Sequence, residues 1–298
     1  MLLYLNKEGR LGHQLSHFII LLSYATKYQK SFFYPSFYKQ YAAYFDIQSP
    51  YFKKTNSIEL VGIHILYAIL KWLKIKHLNL GNYSFILCND KRNELIFDDA
   101  IHKLFTSPSK FIITDYMLND VNCIIEQLEF LRQHIQVATI YKQAIETEIN
   151  KLRNQFKTII AIHIRRTDFK TFKDGKYFFN EDTYKKNLQE LIKILNLNPK
   201  KIAIYLCADE KIDSSVFSDY TIIYEVRTMI NDFLLLMHAD YIISSKSIFS
   251  TCASLLGNNL IVQISNRNFI LQASDIQTCS NLLKKDYDLK NEKELPDQ

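Results

Sequence analysis

Glycine is scarce in this chain. It occurs six times in 298 residues, where an average composition supplies about three times as many. Gly9, Gly12, Gly62, Gly81, Gly175 and Gly257 nowhere form a G-x-G-x-x-G or a Walker A loop, which argues against the usual glycine-cradled dinucleotide and nucleotide sites. With only five prolines, collagen-like and Gly/Pro-rich disordered classes are excluded too. The five cysteines, Cys88, Cys123, Cys207, Cys252 and Cys279, are odd in number and widely spaced. Without a C-x-x-C or a Cys/His cluster they support neither a zinc site nor a disulfide framework, and a reducing compartment fits best. No apolar run reaches membrane-spanning length: the longest, Leu60 to Leu70, is interrupted by His64. With Lys71, Trp72, Lys74 and Lys76 following, it can be read as a helix resting on a membrane or as a buried helix with a basic end, and burial is the expectation. The N-terminus turns polar after five residues and lacks a signal-peptide core, so a cytoplasmic protein is expected.

Aromatic residues are plentiful, with 20 Phe and 19 Tyr, so core material is abundant. The net charge of +6 is mild, and the lysines are scattered rather than gathered into a tract. That suits a phosphorylated ligand or an anionic membrane surface better than nucleic acid.

Residues 2–5, a turn at Asn6–Gly12, a helical pattern over His13–Lys27 and a strand near Phe32–Tyr34 make a β-loop-α-β opening. Helical periodicity at 58–74 and around 98–105, a strand at Phe111–Thr114, and helices near 119–135 and 139–155 follow. From about 157 the pattern becomes regular, with continuous apolar runs at Ile159–Ile164, Ile202–Cys207, Thr221–Tyr224, Tyr241–Ile243 and Leu260–Ile264. Runs apolar on both faces, separated by helical stretches at 182–196, 228–238 and 248–256, predict a parallel, doubly wound α/β domain. Its ligand belongs beyond the carboxyl ends of the strands, at a switch in strand order. The charged stretch from Lys284 to Gln298 is expected to fray. Two domains, 1–150 and 151–298, are expected.

Three motifs stand out. His163-Ile164-Arg165-Arg166-Thr167-Asp168 ends a predicted strand. Paired arginines there cost desolvation unless they meet anions, and a guanidinium fork matches a phosphate. Asp168 would orient one arginine and leave the other for the ligand. The alternative is a surface Arg–Asp pair. Asp240 to Ser250 passes from a strand through a Ser-rich turn into a helix, where N–H groups and the hydroxyls of Ser247 and Ser250 could hold an anion. A plain serine N-cap is the rival reading. Gly9-Arg10-Leu11-Gly12-His13-Gln14 joins the first strand to the first helix, with His17 one turn on as a packing residue.

Together these motifs resemble the fucosyltransferase superfamily that uses GDP-fucose. Gly9-Arg10-Leu11-Gly12-x-Gln14-Leu15 is similar to its N-terminal motif, His163 to Asp168 to its H-x-R-R-x-D motif, and Ser244 to Ser250 to its S-S-x-F-S motif. Ile204 to Glu210 resembles the strand and acidic turn between them. The length and N-terminal loop are most similar to bacterial α-1,2-fucosyltransferases, while Asp240 to Ser250 is similar to the α-1,6 branch. The resemblance implies an α/β, GT-B-like enzyme with two Rossmann-like halves facing a cleft, the first on the acceptor side and the second holding the nucleotide sugar. It implies inverting transfer of L-fucose from GDP-fucose to a glycan hydroxyl, α-1,2 to galactose in a bacterial surface polysaccharide, without a bound metal or other cofactor. Another linkage, another nucleotide sugar, or a non-catalytic sugar-nucleotide-binding protein are the alternatives. By carry-over Arg165 grips the β-phosphate, with His163 and Arg166 in support. Asp240 reads the guanine edge, Ser247 and Ser250 line the phosphate site, and Asp209 faces the nucleotide sugar. Gly12 and Gln14 of the N-terminal motif are counted with the residues that bind the donor. The chain departs from the family at His13, where Asn is usual, at Thr251-Cys252 in place of an aromatic pair, and near Lys173, where the α-1,6 enzymes place a glutamate. The general base is therefore open among Asp168, His13 and Asp174. The acceptor is a glycan, lipid-linked or free, with peripheral contact to the inner face of the cytoplasmic membrane expected.

Overall fold

The computed structural model describes residues 1–53, 57–87, 95–96, 102, 105–106, 111–115, 117–118, 120–225 and 227–285. Cys88, most of the expected 98–105 helix and nearly all of the charged tail lie outside them.

The chain forms two compact units, Met1–Gln136 and Val137–Gln298. The boundary precedes the one expected at 150 because the helix over 139–153 belongs to the second unit. Its Glu148 and Arg153 form ion pairs with Arg227 and Asp240.

In the first unit β1 (Leu2–Tyr4), α1 (Leu11–Tyr28) and β2 (Phe32–Phe33) give the expected parallel β-α-β opening. There follow α2 (Pro35–Gln40), β3 (Phe45–Ile47), α3 (Ser57–Trp72), β4 (His77–Leu80), β5 (Tyr83–Ile86), β6 (Leu95–Ile96), β7 (Phe111–Thr114), β8 (Met117–Leu118), α4 (Asn122–Glu126), α5 (Leu128–His134) and β9 (Ile135–Val137). The main sheet has the order β2-β1-β7-β5-β4 and is parallel except for the β4–β5 hairpin. That hairpin has no counterpart in the sequence reading, although Leu78, Leu80, Tyr83, Phe85 and Leu87 alternate on either side of Gly81-Asn82. The helix expected over 119–135 is two short helices, α4 and α5, divided at Gln127. The expected burial of Leu60–Leu70 is corrected: Leu70 is buried, but Val61, Ile65 and Ile69 are exposed.

The second unit comprises α6 (Thr139–Arg153), β10 (Thr158–Ile164), α7 (Glu181–Ile194), β11 (Ile202–Ala208), β12 (Thr221–Ile223), α8 (Met229–His238), β13 (Tyr241–Ser245), α9 (Ile248–Gly257), β14 (Leu260–Ile264) and β15 (Gln277–Thr278). Its sheet has the order β12-β11-β10-β13-β14-β15, parallel except for β15. Each apolar run became a strand; β10 is buried along its whole length, whereas β12, at the sheet edge, is partly exposed. Ile160, Ile162 and Ile164 meet Tyr184, Leu188 and Leu191 in one core cluster. Alternate residues point to the other face, where His163 meets Phe249 of α9 and Phe249 meets Phe233 of α8. Fully burying each such Ile or Phe contributes at most roughly 1.5–3 kcal/mol. α7 starts cleanly: the Asn180 side chain accepts from the Thr183 N–H at 3.1 Å, and Glu181 and Asp182 occupy the first turn. Gly257 ends α9 through close packing, since a Cβ there would lie 2.3 Å from the Met237 carbonyl oxygen of α8. The left-handed cap falls to Asn258 (φ 59°).

Candidate functional site

β10 is the first strand of the second sheet in chain order, with β11 on one side and β13 on the other, so the strand order reverses there. The crevice outside the carboxyl ends of β10 and β13 is where an open α/β sheet binds ligands. The sequence delivers His163-Ile164-Arg165-Arg166 to the end of one strand and Ser244-Ser245-Lys246-Ser247 to the end of the other.

Arg165 forks onto Asp168, its Nε and one terminal nitrogen donating to the two carboxylate oxygens at 2.9 and 2.5 Å. The guanidinium also lies over the Phe169 ring, 4.6 Å from its centre. This fixes one edge of the guanidinium and leaves the other edge to a ligand. Arg166 has a different fate. Its guanidinium pairs with Glu181 at the start of α7, in a largely buried ion pair. The expectation of one arginine oriented and one left over is corrected: each has its own carboxylate. Arg166 fastens the loop, and Arg165 is the arginine that the geometry orients for a ligand.

Asp209, just beyond β11, accepts from the Arg166 N–H at 2.7 Å, from the Thr167 N–H at 3.3 Å and from the Thr167 hydroxyl. It shapes the arginine loop rather than presenting itself to a sugar. His163 is buried, its Nδ1 without a protein partner. Burial pushes its pKa down to about 4; Asp209 opposes this and Arg165 adds to it. It is a neutral imidazole at pH 7.

At the β13–α9 turn the two serines part ways. Ser250 is buried and its hydroxyl donates within the turn, to Ser244 Oγ and the Ser247 carbonyl, both at 3.0 Å. Its expected place in a ligand site is corrected, because the hydroxyl is occupied by the fold. Ser247 stands at the N-cap of α9 but makes no side-chain cap bond, and its buried hydroxyl has no protein partner. Of the two, Ser247 is the one with a donor to give. Thr251 is fixed by its own bonds to the Ser247 carbonyl and to Gln263, and Cys252 is core, which accounts for both replacing an aromatic pair.

Asp240 lies at the wrong end. It precedes β13 and bonds the Ile159 N–H at 2.7 Å and Arg153 at 2.5 Å, both at the amino-terminal edge of the sheet. Its assignment to a base edge is corrected, since the length of the strands separates it from Arg165. A carboxylate that the sequence reading missed lies nearer the right end. Asp232, in the first turn of α8, accepts a hydrogen bond from Cys207, and Cys207 is the strand partner of His163. Burial raises the Asp232 pKa to about 7, against the pull of Arg227 and the Cys207 hydrogen bond. The available signal was that Asp232 is the only formally charged residue in the apolar run Met229–His238.

In the first unit Gly9 is left-handed (φ 80°), and a Cβ on it would strike His13 at 2.5 Å, so the loop needs glycine there. Gln14 is buried, its Nε2 donating to the Gly9 carbonyl at 3.3 Å and its Oε1 without a partner. Gly12 is buried within α1. His13 is half-buried, its Nδ1 3.3 Å from the Glu8 carbonyl. His17 is buried against the Tyr4 hydroxyl at 2.8 Å, and burial, with His13 beside it, pushes its pKa down to about 3. It packs, as expected. Asp174 and Lys173 are left-handed (φ 55° and 48°) in the turn after the arginine motif. Among the described residues no group of three or more His, Cys, Asp or Glu is placed to hold a metal ion, and no helix is long and apolar enough to cross a membrane.

No family model matches the sequence, and no curated protein matches it. Solved structures do. Fucosyltransferase NodZ from Bradyrhizobium superposes with a TM-score of 0.57 at 15% identity, over 91% of this chain and 97% of its own. The chain has the fold of a fucosyltransferase. A structure of NodZ, described as an α-1,6-fucosyltransferase soaked with GDP-fucose, gives 0.52 at 15% identity over 92% and 96%. FUT1 from Arabidopsis thaliana in complex with GDP gives 0.56 at 11% identity over 89% of this chain and 71% of its own. The shared fucosyltransferase fold includes the α/β architecture of both units.

Proposed function

We propose that the protein is an inverting glycosyltransferase that moves L-fucose from GDP-fucose to a hydroxyl of a glycan, with a GT-B-like division of labour. The second unit holds the nucleotide sugar, and the first serves the acceptor. One observation carries this reading: Arg165 stands at the strand switch point, oriented by Asp168, with one guanidinium edge left for a ligand.

Departure of GDP places negative charge on the diphosphate as the sugar–oxygen bond breaks. A guanidinium already fixed in place stabilises that charge most in the transition state, and losing such a donor costs about 10²–10³ in rate. His163, neutral, and Ser247 add hydrogen bonds to the phosphates without adding charge. Guanine offers adjacent N–H donors, which a carboxylate accepts as a pair, and Asp232, in its ionised form, takes the role first given to Asp240. The acceptor's proton goes to Asp168 or His13. Because both Asp168 oxygens are held by Arg165, the favoured role for Asp168 is to orient the arginine, and His13 is the favoured base.

Two linkages compete. The N-terminal loop favours α-1,2 transfer to galactose in a bacterial surface polysaccharide, whereas the likeness to NodZ favours α-1,6. Incubation with GDP-, UDP- and CMP-sugars, reading nucleotide release and thermal stabilisation, tests the donor. GDP release from the GDP-sugar supports the reading, stabilisation by GDP without turnover on any acceptor favours a non-catalytic sugar-nucleotide-binding protein, and no response to GDP overturns it. Linkage analysis of the product decides between the two acceptors. Asp232→Asn should erase the preference for GDP over UDP and Asp240→Asn should leave it intact; the reverse result would restore Asp240.

A further inference from the structure

α3 has two apolar sides, and only one is used. On the inner side Leu70 is buried, and the Tyr67 hydroxyl and the Lys71 ammonium both donate to Asp115, at 2.9 and 2.8 Å. On the outer side Val61, Ile65, Ile69 and Trp72 are 57%, 57%, 47% and 80% exposed. Their spacing of four, four and three residues puts them in one stripe along three turns. Leu73 extends it, and Leu80 and Tyr83 of the following hairpin are exposed as well. A helix apolar on both sides needs a second covering, and an exposed tryptophan between an apolar face and a polar end suits a membrane interface.

The charge says which covering. Residues 57–87 hold three lysines, Lys71, Lys74 and Lys76, against one carboxylate, Glu59. The lysines flank Trp72 at one end of the stripe, and Lys74 and Lys76 are exposed. Anionic headgroups complement both the lysines and the apolar stripe.

We propose that the outer face of α3, from Val61 to Trp72 with Lys74 and Lys76, docks on an anionic lipid surface. The apolar side chains enter the headgroup boundary and the lysines remain at the phosphates. Docking of this kind would hold the enzyme where lipid-linked glycans lie, but it does not depend on the fucosyltransferase reading.

Trp72 is the only tryptophan, so its fluorescence reports this face alone. Vesicles containing phosphatidylglycerol should shift its emission to shorter wavelength and carry the protein down with them; phosphatidylcholine vesicles should do so far less. Lys74→Glu with Lys76→Glu should weaken binding roughly twentyfold or more, at about fivefold per lysine. Ile65→Asp with Ile69→Asp should abolish the shift, with circular dichroism confirming that both variants remain folded. No shift and no co-sedimentation would overturn the proposal, as would equal binding to neutral vesicles. A blue shift that needs no lipid and follows protein concentration, with a dimer mass in solution, would give the face to a second copy instead. None of these readouts uses a donor sugar, so failure here is separate from failure of the proposed chemistry.

Discussion

The two units are built from the same elements under different constraints. In the second unit β10 and β11 run seven residues each, and every position of β10 is buried. In the first unit the main-sheet strands are two to four residues long, and β4 is largely exposed. A strand covered on both faces must be apolar throughout and tolerates little, whereas a short, half-exposed strand accepts nearly any residue. Rigidity and oriented charge therefore collect in the second unit, where Arg165 is held by Asp168 and Arg166 by Glu181 beyond one strand end. The first unit keeps a loop, two neighbouring histidines and an uncovered helix face.

The largest test of this contrast is Arg165→Ala. Turnover of GDP-fucose should fall by about 10²–10³ while the melting temperature changes little, because the side chain orients rather than packs. Arg166→Ala should do the opposite in kind: it leaves Glu181 partly buried without its partner, so the loss should appear first in thermal stability. A stable Arg166 variant with lost turnover would mean that the two roles are reversed.

Glycine gives the next comparison. Gly257→Ala forces a Cβ into the backbone of α8 and should cost about 1–3 kcal/mol, a drop of several degrees in melting temperature. Gly62→Ala in α3 meets nothing within 4 Å and should stabilise by about 0.5–1 kcal/mol.

Titration separates buried histidines from a buried carboxylate by sign. His17 is held neutral in the fold at a pKa of about 3 against an ordinary 6.5, so the unfolded chain takes up its proton first. Its stabilising effect is complete above about pH 6.5 and falls by about 1.4 kcal/mol per pH unit on acidification. Asp232, raised to about 7 from 3.8, is protonated in the fold where the unfolded chain is not, so its contribution is lost as pH rises from about 4 towards 7. Denaturant titrations between pH 4.5 and 6.5 should show a flatter slope for His17→Phe and a steeper loss on acidification for Asp232→Asn. Equal slopes for the wild type and both variants would refute the burial of either group.

How much could be read in advance follows the same division. The inner parallel strands of the second sheet were legible because burial on two faces writes itself as an unbroken apolar run; the partly exposed edge strand β12 keeps only Ile222 and Ile223 of that pattern. The arginine motif was legible for the opposite reason: two charges after such a run have nowhere to go but a strand end. The β4–β5 hairpin carries only a short alternation, Leu78, Leu80, Tyr83 and Phe85 about Gly81-Asn82, and the break at Gln127 leaves no periodic trace at all. Among site residues the misreadings share a cause. Asp232 and Asp240 lie eight residues apart, one in the first turn of α8 and one beyond its end, and a linear reading does not say which end of the sheet each reaches. Ser247 and Ser250 look alike in sequence, yet the first turn of α9 directs one hydroxyl into its own turn and leaves the other unpartnered. The apolar run of α3 looked like core because composition does not show how many faces of a helix find neighbours.

The sequence by itself determined that the chain is α/β, that its regular sheet lies in the second half, and that Arg165 follows a strand. Each of these is encoded in local pattern, through burial period and the cost of stranded charge. Tertiary structure alone decided that β10 sits at the switch in strand order, that Asp232 rather than Asp240 stands towards the arginine end, and that α3 keeps an apolar face outward. Those are facts about which segments become neighbours, and neighbourhood across the sheet is set by packing between residues far apart in the chain.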